Sequence, residues 1–209
     1  MRSPFVLAMV TVALSACKPE VVRFPDPGSD PYKGLELMQA MPKPSFTLTD
    51  LDGKPFDFRA ETDGHLTFLF FGYTNCPDVC PLHMANIGSV LRQQPPEVVN
   101  RIKVVFVTTD PERDSLPRLK EWLGRFHPQF IGLTGSADEL AAAQQAARIL
   151  PATKDTVNRL VNGGYSVGHA AQVIAFTADD SLRVLYPFGI RQEDWANDIP
   201  KLVLVGFPR

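Results

Sequence analysis

Residues 66–81 read Leu66-Thr67-Phe68-Leu69-Phe70-Phe71-Gly72-Tyr73-Thr74-Asn75-Cys76-Pro77-Asp78-Val79-Cys80-Pro81. The first half belongs to a nearly continuous apolar run from His65 to Gly72, the pattern of a strand covered on both faces. The second half carries two cysteines four residues apart into a segment that begins a helix. Each cysteine precedes a proline, which disfavours helical backbone at Cys76 and Cys80. Pro81 has no N–H to donate, so it fits only a first helical turn. The helix therefore starts between Asp78 and Pro81, with Cys76 in the loop and Cys80 at the cap or in the first turn. Free N–H groups and a partial positive charge at a helix N-terminus favour thiolate over thiol.

Outward from this junction the chain alternates strands and helices. Upstream, Ser45 to Asp50 alternates as a strand, and Asp52-Gly53 turns it into Pro55 to Phe58, an N-terminal β-hairpin. Downstream, a helix runs from about Pro81 to Arg92 with Leu82, Ala85, Ile87 and Leu91 on its apolar side. Arg101 to Thr109 is a second buried strand. Leu116 to Phe126 is helical, capped by Asp114 or Ser115. Phe130 to Leu133 is a short strand, and Ser136 with Glu139 forms a capping box at the start of an alanine-rich helix to Leu150. Residues 151–168 lack a clear period and form a loop or hairpin. His169 to Thr177 alternates as a strand and pairs with Arg183 to Tyr186 across Asp179-Asp180. A last helix starts near Glu193, with Pro200 expected to bend or divide it. This order predicts an α/β domain of thioredoxin-like type: a mixed central sheet with flanking helices.

The N-terminal segment stands apart from the fold. Arg2 and the apolar stretch Phe5 to Leu14 have the form of an export signal, and ten apolar residues are too few to cross a bilayer, which needs about 20. Leu14-Ser15-Ala16-Cys17 resembles a bacterial lipobox, whose cysteine is lipidated and becomes the new N-terminus. Residues 1–17 are thus expected to be a lipoprotein signal, 18–44 a proline-rich tether, and 45–209 the folded domain. These features place the protein in the bacterial cell envelope, on the periplasmic face, lipid-anchored to a membrane. Lys plus Arg number 21 and Asp plus Glu 23, for a net charge of -2. With no basic block, nothing points to a nucleic-acid partner.

If Cys17 carries lipid, Cys76 and Cys80 are the only thiols of the exported domain. A disulfide is the default state of such a pair in an oxidising compartment. Closing so small a loop stabilises little, which argues against a purely structural bridge. Helical i,i+4 spacing would put the Cα atoms about 6 Å apart, which allows either a bridge or a shared ion. Thioredoxin-type exchange usually uses two intervening residues; three loosen the geometry and suit two thiolates around one soft ion. Copper(I) fits thiolate and imidazole donors in a two- or three-coordinate site, whereas structural zinc would want four ligands. Four histidines compete for the third place. His169 lies at the entrance to a predicted strand, and His83 is one helical turn past Cys80. His65 and His127 read as boundary residues, and Met84 as core. Asp78 reads as a helix cap, and Asp110 with Arg113 as a loop salt bridge or a docking element.

Gly72 to Pro81, followed by Thr109-Asp110-Pro111-Glu112-Arg113-Asp114, resembles the signature of the Sco/SenC family of copper-binding assembly factors. The family's third ligand is a histidine at the start of a strand well downstream. His169, 89 residues after Cys80, matches it. The resemblance covers roughly residues 40 to 205. It implies a thioredoxin-like fold and copper bound by Cys76, Cys80 and His169, as copper(I) with copper(II) the alternative. It also implies a Cys76–Cys80 disulfide when oxidised, and delivery to the copper A subunit of cytochrome c oxidase or another copper-accepting protein. The family commonly has an acidic residue before this histidine and a serine after it; here these are Gly168 and Ala170.

The alternative is a thiol–disulfide oxidoreductase that reduces the cysteines of a copper-accepting partner, with Cys76 and Cys80 as its redox pair. Reductases of thioredoxin type place a proline before a strand opposite the cysteines. No proline occurs between Pro151 and Pro187, and His169 stands in that region instead. A peroxidase of peroxiredoxin type would want threonine or serine three residues before the reactive cysteine, where Tyr73 and Pro77 stand.

Overall fold

The computed structural model describes residues 32–155 and 165–204. The expected signal segment with Cys17, and the tether as far as residue 31, lie outside the described residues. In chain order the elements are β1 (Leu35–Pro42), β2 (Thr47–Asp50), β3 (Pro55–Asp57), α1 (Phe58–Glu61), β4 (Leu66–Gly72), α2 (Val79–Arg92), α3 (Pro96–Val99) and β5 (Ile102–Thr108). There follow α4 (Leu116–Gly124), β6 (Ile131–Thr134), α5 (Ala137–Ala146), β7 (Thr153–Asp155), β8 (Ser166–Gly168), β9 (Val173–Phe176), β10 (Ser181–Tyr186) and α6 (Gln192–Leu204).

Eight strands form one mixed sheet in the order β1-β10-β9-β4-β5-β6-β2-β3. The three at its heart, β4, β5 and β6, are parallel, and β9 joins β4 antiparallel. Helices cover both faces, the thioredoxin-like arrangement expected from the element order. This explains the apolar run in β4: Leu66, Phe68 and Phe70 point into one core with residues of α2, α3, α4 and α6. Leu69 and Phe71 point into the other with Phe58 of α1 and Leu140 and Ala143 of α5. Each face buries a row of large side chains, and each such side chain contributes about 1.5–3 kcal/mol. The capping box of Ser136 and Glu139 opens α5 as expected, and Gly53, at φ 77, makes the β2–β3 turn.

Several expectations need correction. The domain boundary expected at residue 44 lies too late, because residues 35–42 form β1, the edge strand paired antiparallel with β10. The prolines that suggest a tether leave this strand intact: Pro42 is its last residue, and an edge strand needs fewer N–H donors. The strand expected from His169 is shorter: β9 starts at Val173, and all four of its residues are buried because it lies between β10 and β4. His169 falls in the segment that joins β8 to β9. The inward face of α2 is rotated from the expected one. Cys80, His83, Met84 and Ile87 are buried, whereas Leu82 and Ala85 are exposed. The helix α6 passes through Pro200 undivided. Residues 151–168 do contain a hairpin, β7 with β8, although 156–164 lie outside the described residues. Among the described residues no helix is long and apolar enough to cross a membrane.

The start of β1 is held by one buried carboxylate. Asp198 of α6 accepts hydrogen bonds from the backbone N–H groups of Lys33 (2.8 Å) and Gly34 (3.1 Å) and from the Tyr186 hydroxyl (2.9 Å). Removing it orphans two buried donors, the Gly34 N–H and the Tyr186 hydroxyl, each costing about 1–3 kcal/mol when left unmade. Asp198→Ala is therefore expected to lower stability by about 2 kcal/mol or more in urea unfolding and to speed proteolysis near residue 35. Unchanged unfolding would show that β1 does not depend on this anchor.

Candidate metal centre

The cysteines lie where β4 hands the chain to α2. Asp78 accepts a hydrogen bond from Val79 N–H (2.6 Å) and caps the helix, as its sequence position suggests. Cys76 stays in the loop, its N–H bonded to the Tyr73 carbonyl. Cys80, in the first turn, donates its N–H toward the Cys76 sulfur (3.5 Å). The Cys80 side chain is fully buried and nests against Gly72: a Cβ at residue 72 would stand 2.7 Å from the Cys80 Sγ. Only glycine ends β4 without displacing this sulfur.

Tertiary bonds fix the loop itself. The carboxylate of Asp114, 1% exposed, accepts from Thr74 N–H (3.0 Å), Thr74 Oγ1 (2.5 Å) and Thr108 Oγ1 (2.6 Å). Arg118 completes the clamp from α4, bonding Thr74 Oγ1 (2.7 Å) and Asn75 Oδ1. Asp114 was one of two candidates to cap α4; that position belongs to Ser115, and Asp114 turns inward. Nothing local in the sequence signals this, since its partners lie six and forty residues away. Asp110 and Arg113 form the expected loop ion pair. Tyr165 joins them, its hydroxyl on Asp110 (2.7 Å) and its ring under the Arg113 guanidinium at 3.6 Å.

His169 reaches the cysteines from the β8–β9 segment. Its Nε2 lies 3.5 Å from Cys80 Sγ and 3.9 Å from Cys76 Sγ, and the three ligand atoms all fall within 4.8 Å of one another. Its Nδ1 is 2.9 Å from the Ala170 carbonyl, which turns Nε2 toward the sulfurs. The rings of Phe70 and Tyr73 flank the imidazole edge-on at 5.8 and 5.6 Å. Among the described residues this is the only cluster of three or more His, Cys, Asp or Glu side chains placed to hold a metal. Of the competing histidines, His65 bonds the Asp63 carbonyl and His127 accepts from Gln129 N–H, both away from the site. Met84 is core, as expected. His83, one helical turn past Cys80, is buried with its Nε2 on the Ala171 carbonyl (3.0 Å).

The two cysteines are free thiols with opposite acidities. The Cys76 pKa is lowered to about 4, first by the hydrogen bond from the Cys80 thiol. His169 and the N–H groups of Cys80 and Asp78 act the same way, against the opposing effect of burial. The Cys80 thiol is pushed up, chiefly by burial, then by its hydrogen bond to Cys76 and by the charge there. One side of the site is open: Arg148, Leu150, Thr153, Gly168 and Gln172 help line a groove of about 600 Å³ that includes His169. A side chain at position 168 would enter this groove beside Thr153, whose Oγ1 would lie 3.3 Å from its Cβ.

The chain belongs to the SCO1/SenC family, which matches residues 37–204. A protein of Stutzerimonas stutzeri named for inferred copper binding is 31% identical over 179 residues, 84% of each chain. The solution structure of apo Sco1 from Thermus thermophilus superposes with a TM-score of 0.71 at 29% identity, covering 82% of this chain and 97% of that one. Bradyrhizobium japonicum ScoI, solved with copper bound, gives 0.65 at 30% identity, covering 77% and 99%. Against a SCO2-like protein of Rickettsia felis, the chain spans about half that protein's length.

Two outcomes follow from this geometry. Iodoacetamide should modify Cys76 well ahead of Cys80, at a rate that climbs through about pH 4 and then levels off. A rate climbing only near the ordinary thiol value of about 8.5 would contradict the arrangement. Gly72→Ala should cost about 1–3 kcal/mol in urea unfolding through overpacking against Cys80, where an unaffected midpoint would show that the sulfur can move aside.

Proposed function

We propose that this protein binds one copper ion through Cys76, Cys80 and His169 and passes it to a copper-accepting protein. The observation that carries the reading is the convergence of two sulfurs and one imidazole nitrogen within 4.8 Å. Copper(I) is soft and has no d-electron geometric preference, so two thiolates and an imidazole satisfy it, whereas harder ions prefer oxygen donors. Cys76 is ready as a thiolate at neutral pH; Cys80 must lose its proton on loading, so metal uptake releases a proton. Cys80 is buried on a helix, whereas His169 stands on a segment between strands and borders an open groove. An acceptor's ligand can therefore enter beside His169 before the sulfurs let go. The receiving partner fits the copper A subunit of cytochrome c oxidase. Lipidation at Cys17 would hold the domain at a membrane on the periplasmic face of a bacterial envelope.

The adjacency of a Cys76 thiolate and the Cys80 thiol also supports a second reading, thiol–disulfide exchange. Cys76 attacks a partner's disulfide, Cys80 resolves the mixed disulfide, and the protein leaves as the Cys76–Cys80 disulfide while the partner gains two electrons and two protons. Such a step would prepare a partner's cysteines for copper.

Competition of the reduced protein against a copper(I) chelator tests the main reading. One ion should bind per chain, and Cys76→Ser, Cys80→Ser and His169→Ala should each weaken binding by at least tenfold. Unchanged affinity in His169→Ala would remove the histidine from the site. Rapid reduction of an oxidised copper A domain by copper-free protein would put the second reading first.

A further inference from the structure

His83 is the histidine that the ligand set leaves over. It lies on α2 three residues after Cys80, it is 1% exposed, and three aromatic rings surround it edge-on: Phe70 at 5.3 Å, Phe188 at 6.2 Å and Trp195 at 6.3 Å. Burial holds its pKa below the ordinary histidine value, partly offset by its bond to Ala171. An imidazole nitrogen facing a carbonyl must carry a proton, so Nε2 is the donor to the Ala171 oxygen at 3.0 Å. Leucine or phenylalanine would suit this apolar pocket with no polar group to desolvate, so a buried imidazole is justified only by the bond it makes.

That bond spans the site. At one end is the helix that carries Cys80; at the other is a carbonyl two residues past His169, in the stretch 169–172 that belongs to no strand. Within this stretch the His169 imidazole bonds its neighbour, Ala170, which orients the ring; its one contact with α2 is the long approach of Nε2 to the Cys80 sulfur, 3.5 Å, between the proposed ligand atoms themselves. We propose that His83 is a positioning residue: by donating Nε2–H to Ala171 O it fastens the His169 segment to α2 and sets His169 at its distance from the two sulfurs. The proposal rests on the copper reading above. It assigns His83 no contact with the metal.

The test compares His83→Leu, which fills the pocket without a donor, with His83→Gln, which keeps one, in the full chain and again in a His169→Ala background. Copper(I) affinity is read by chelator competition. His83→Leu should lower it about tenfold, the low end of the effect of losing a partner that orients a ligand. His83→Gln should recover most of that loss. In the His169→Ala background His83→Leu should change nothing further, because the ligand it positions is gone. An equal loss in both backgrounds would mean a general structural role and would overturn the proposal. So would unchanged affinity in His83→Leu of a protein that does bind copper through His169. If the unsubstituted protein binds no copper, the copper reading fails instead. Should His83→Leu not fold, long-range ¹⁵N–¹H spectra of the unsubstituted protein decide. A His83 protonated at Nε2 supports the bond, and a neutral His83 protonated only at Nδ1 overturns it.

Discussion

The Cys80 sulfur is packed against the backbone of Gly72, at the point where the central strand β4 ends and α2 begins. This close approach fixes the phase of α2: once Cys80 points inward, Met84, Ile87 and Leu91 follow it into the core at helical spacing, and Leu82 is left outside. The same phase brings His83 inward beside the β8–β9 segment. One buried thiol thus links the main core to the cysteine–histidine cluster. Such burial raises the energy of a thiolate at Cys80 and leaves the negative charge to Cys76, which has hydrogen-bond donors around it.

The three positions of the proposed copper site differ in rigidity, and under the carrier reading that difference suits transfer. Cys80 rides on a fourteen-residue helix packed against the sheet. The Cys76 loop has no regular structure but is clamped by the buried carboxylate of Asp114 through Thr74. The segment bearing His169 has neither helix nor ladder, and its groove side is open. A carrier must bind tightly yet release, and placing the single nitrogen donor on the least supported segment provides a first ligand to exchange.

Much of this was legible in the chain. The continuous apolar runs of β4 and β5 announced strands covered on both faces, and the two prolines after the cysteines located the start of α2 within a residue or two. The pair's spacing pointed toward a shared soft ion. What was hidden depends on distant partners. β1 reads as tether because Leu35, Leu37, Met38 and Met41 do not alternate strictly and prolines stand on either side. Asp114 looked like a cap because the hydroxyls it binds come from other segments. The burial of His83 has no local signal because its partner is a backbone carbonyl 88 residues away. His169 itself was not singled out by pattern alone among four histidines; the family resemblance selected it, and the fold then brought it to the sulfurs.

X-ray absorption at the copper edge of the copper(I)-loaded protein examines the central claim at the metal itself. The account predicts a mononuclear site with two sulfur scatterers and one imidazole nitrogen, the nitrogen being lost in His169→Ala while both sulfurs stay. A sulfur-only first shell in the unsubstituted protein, or a nitrogen that persists without His169, would contradict it.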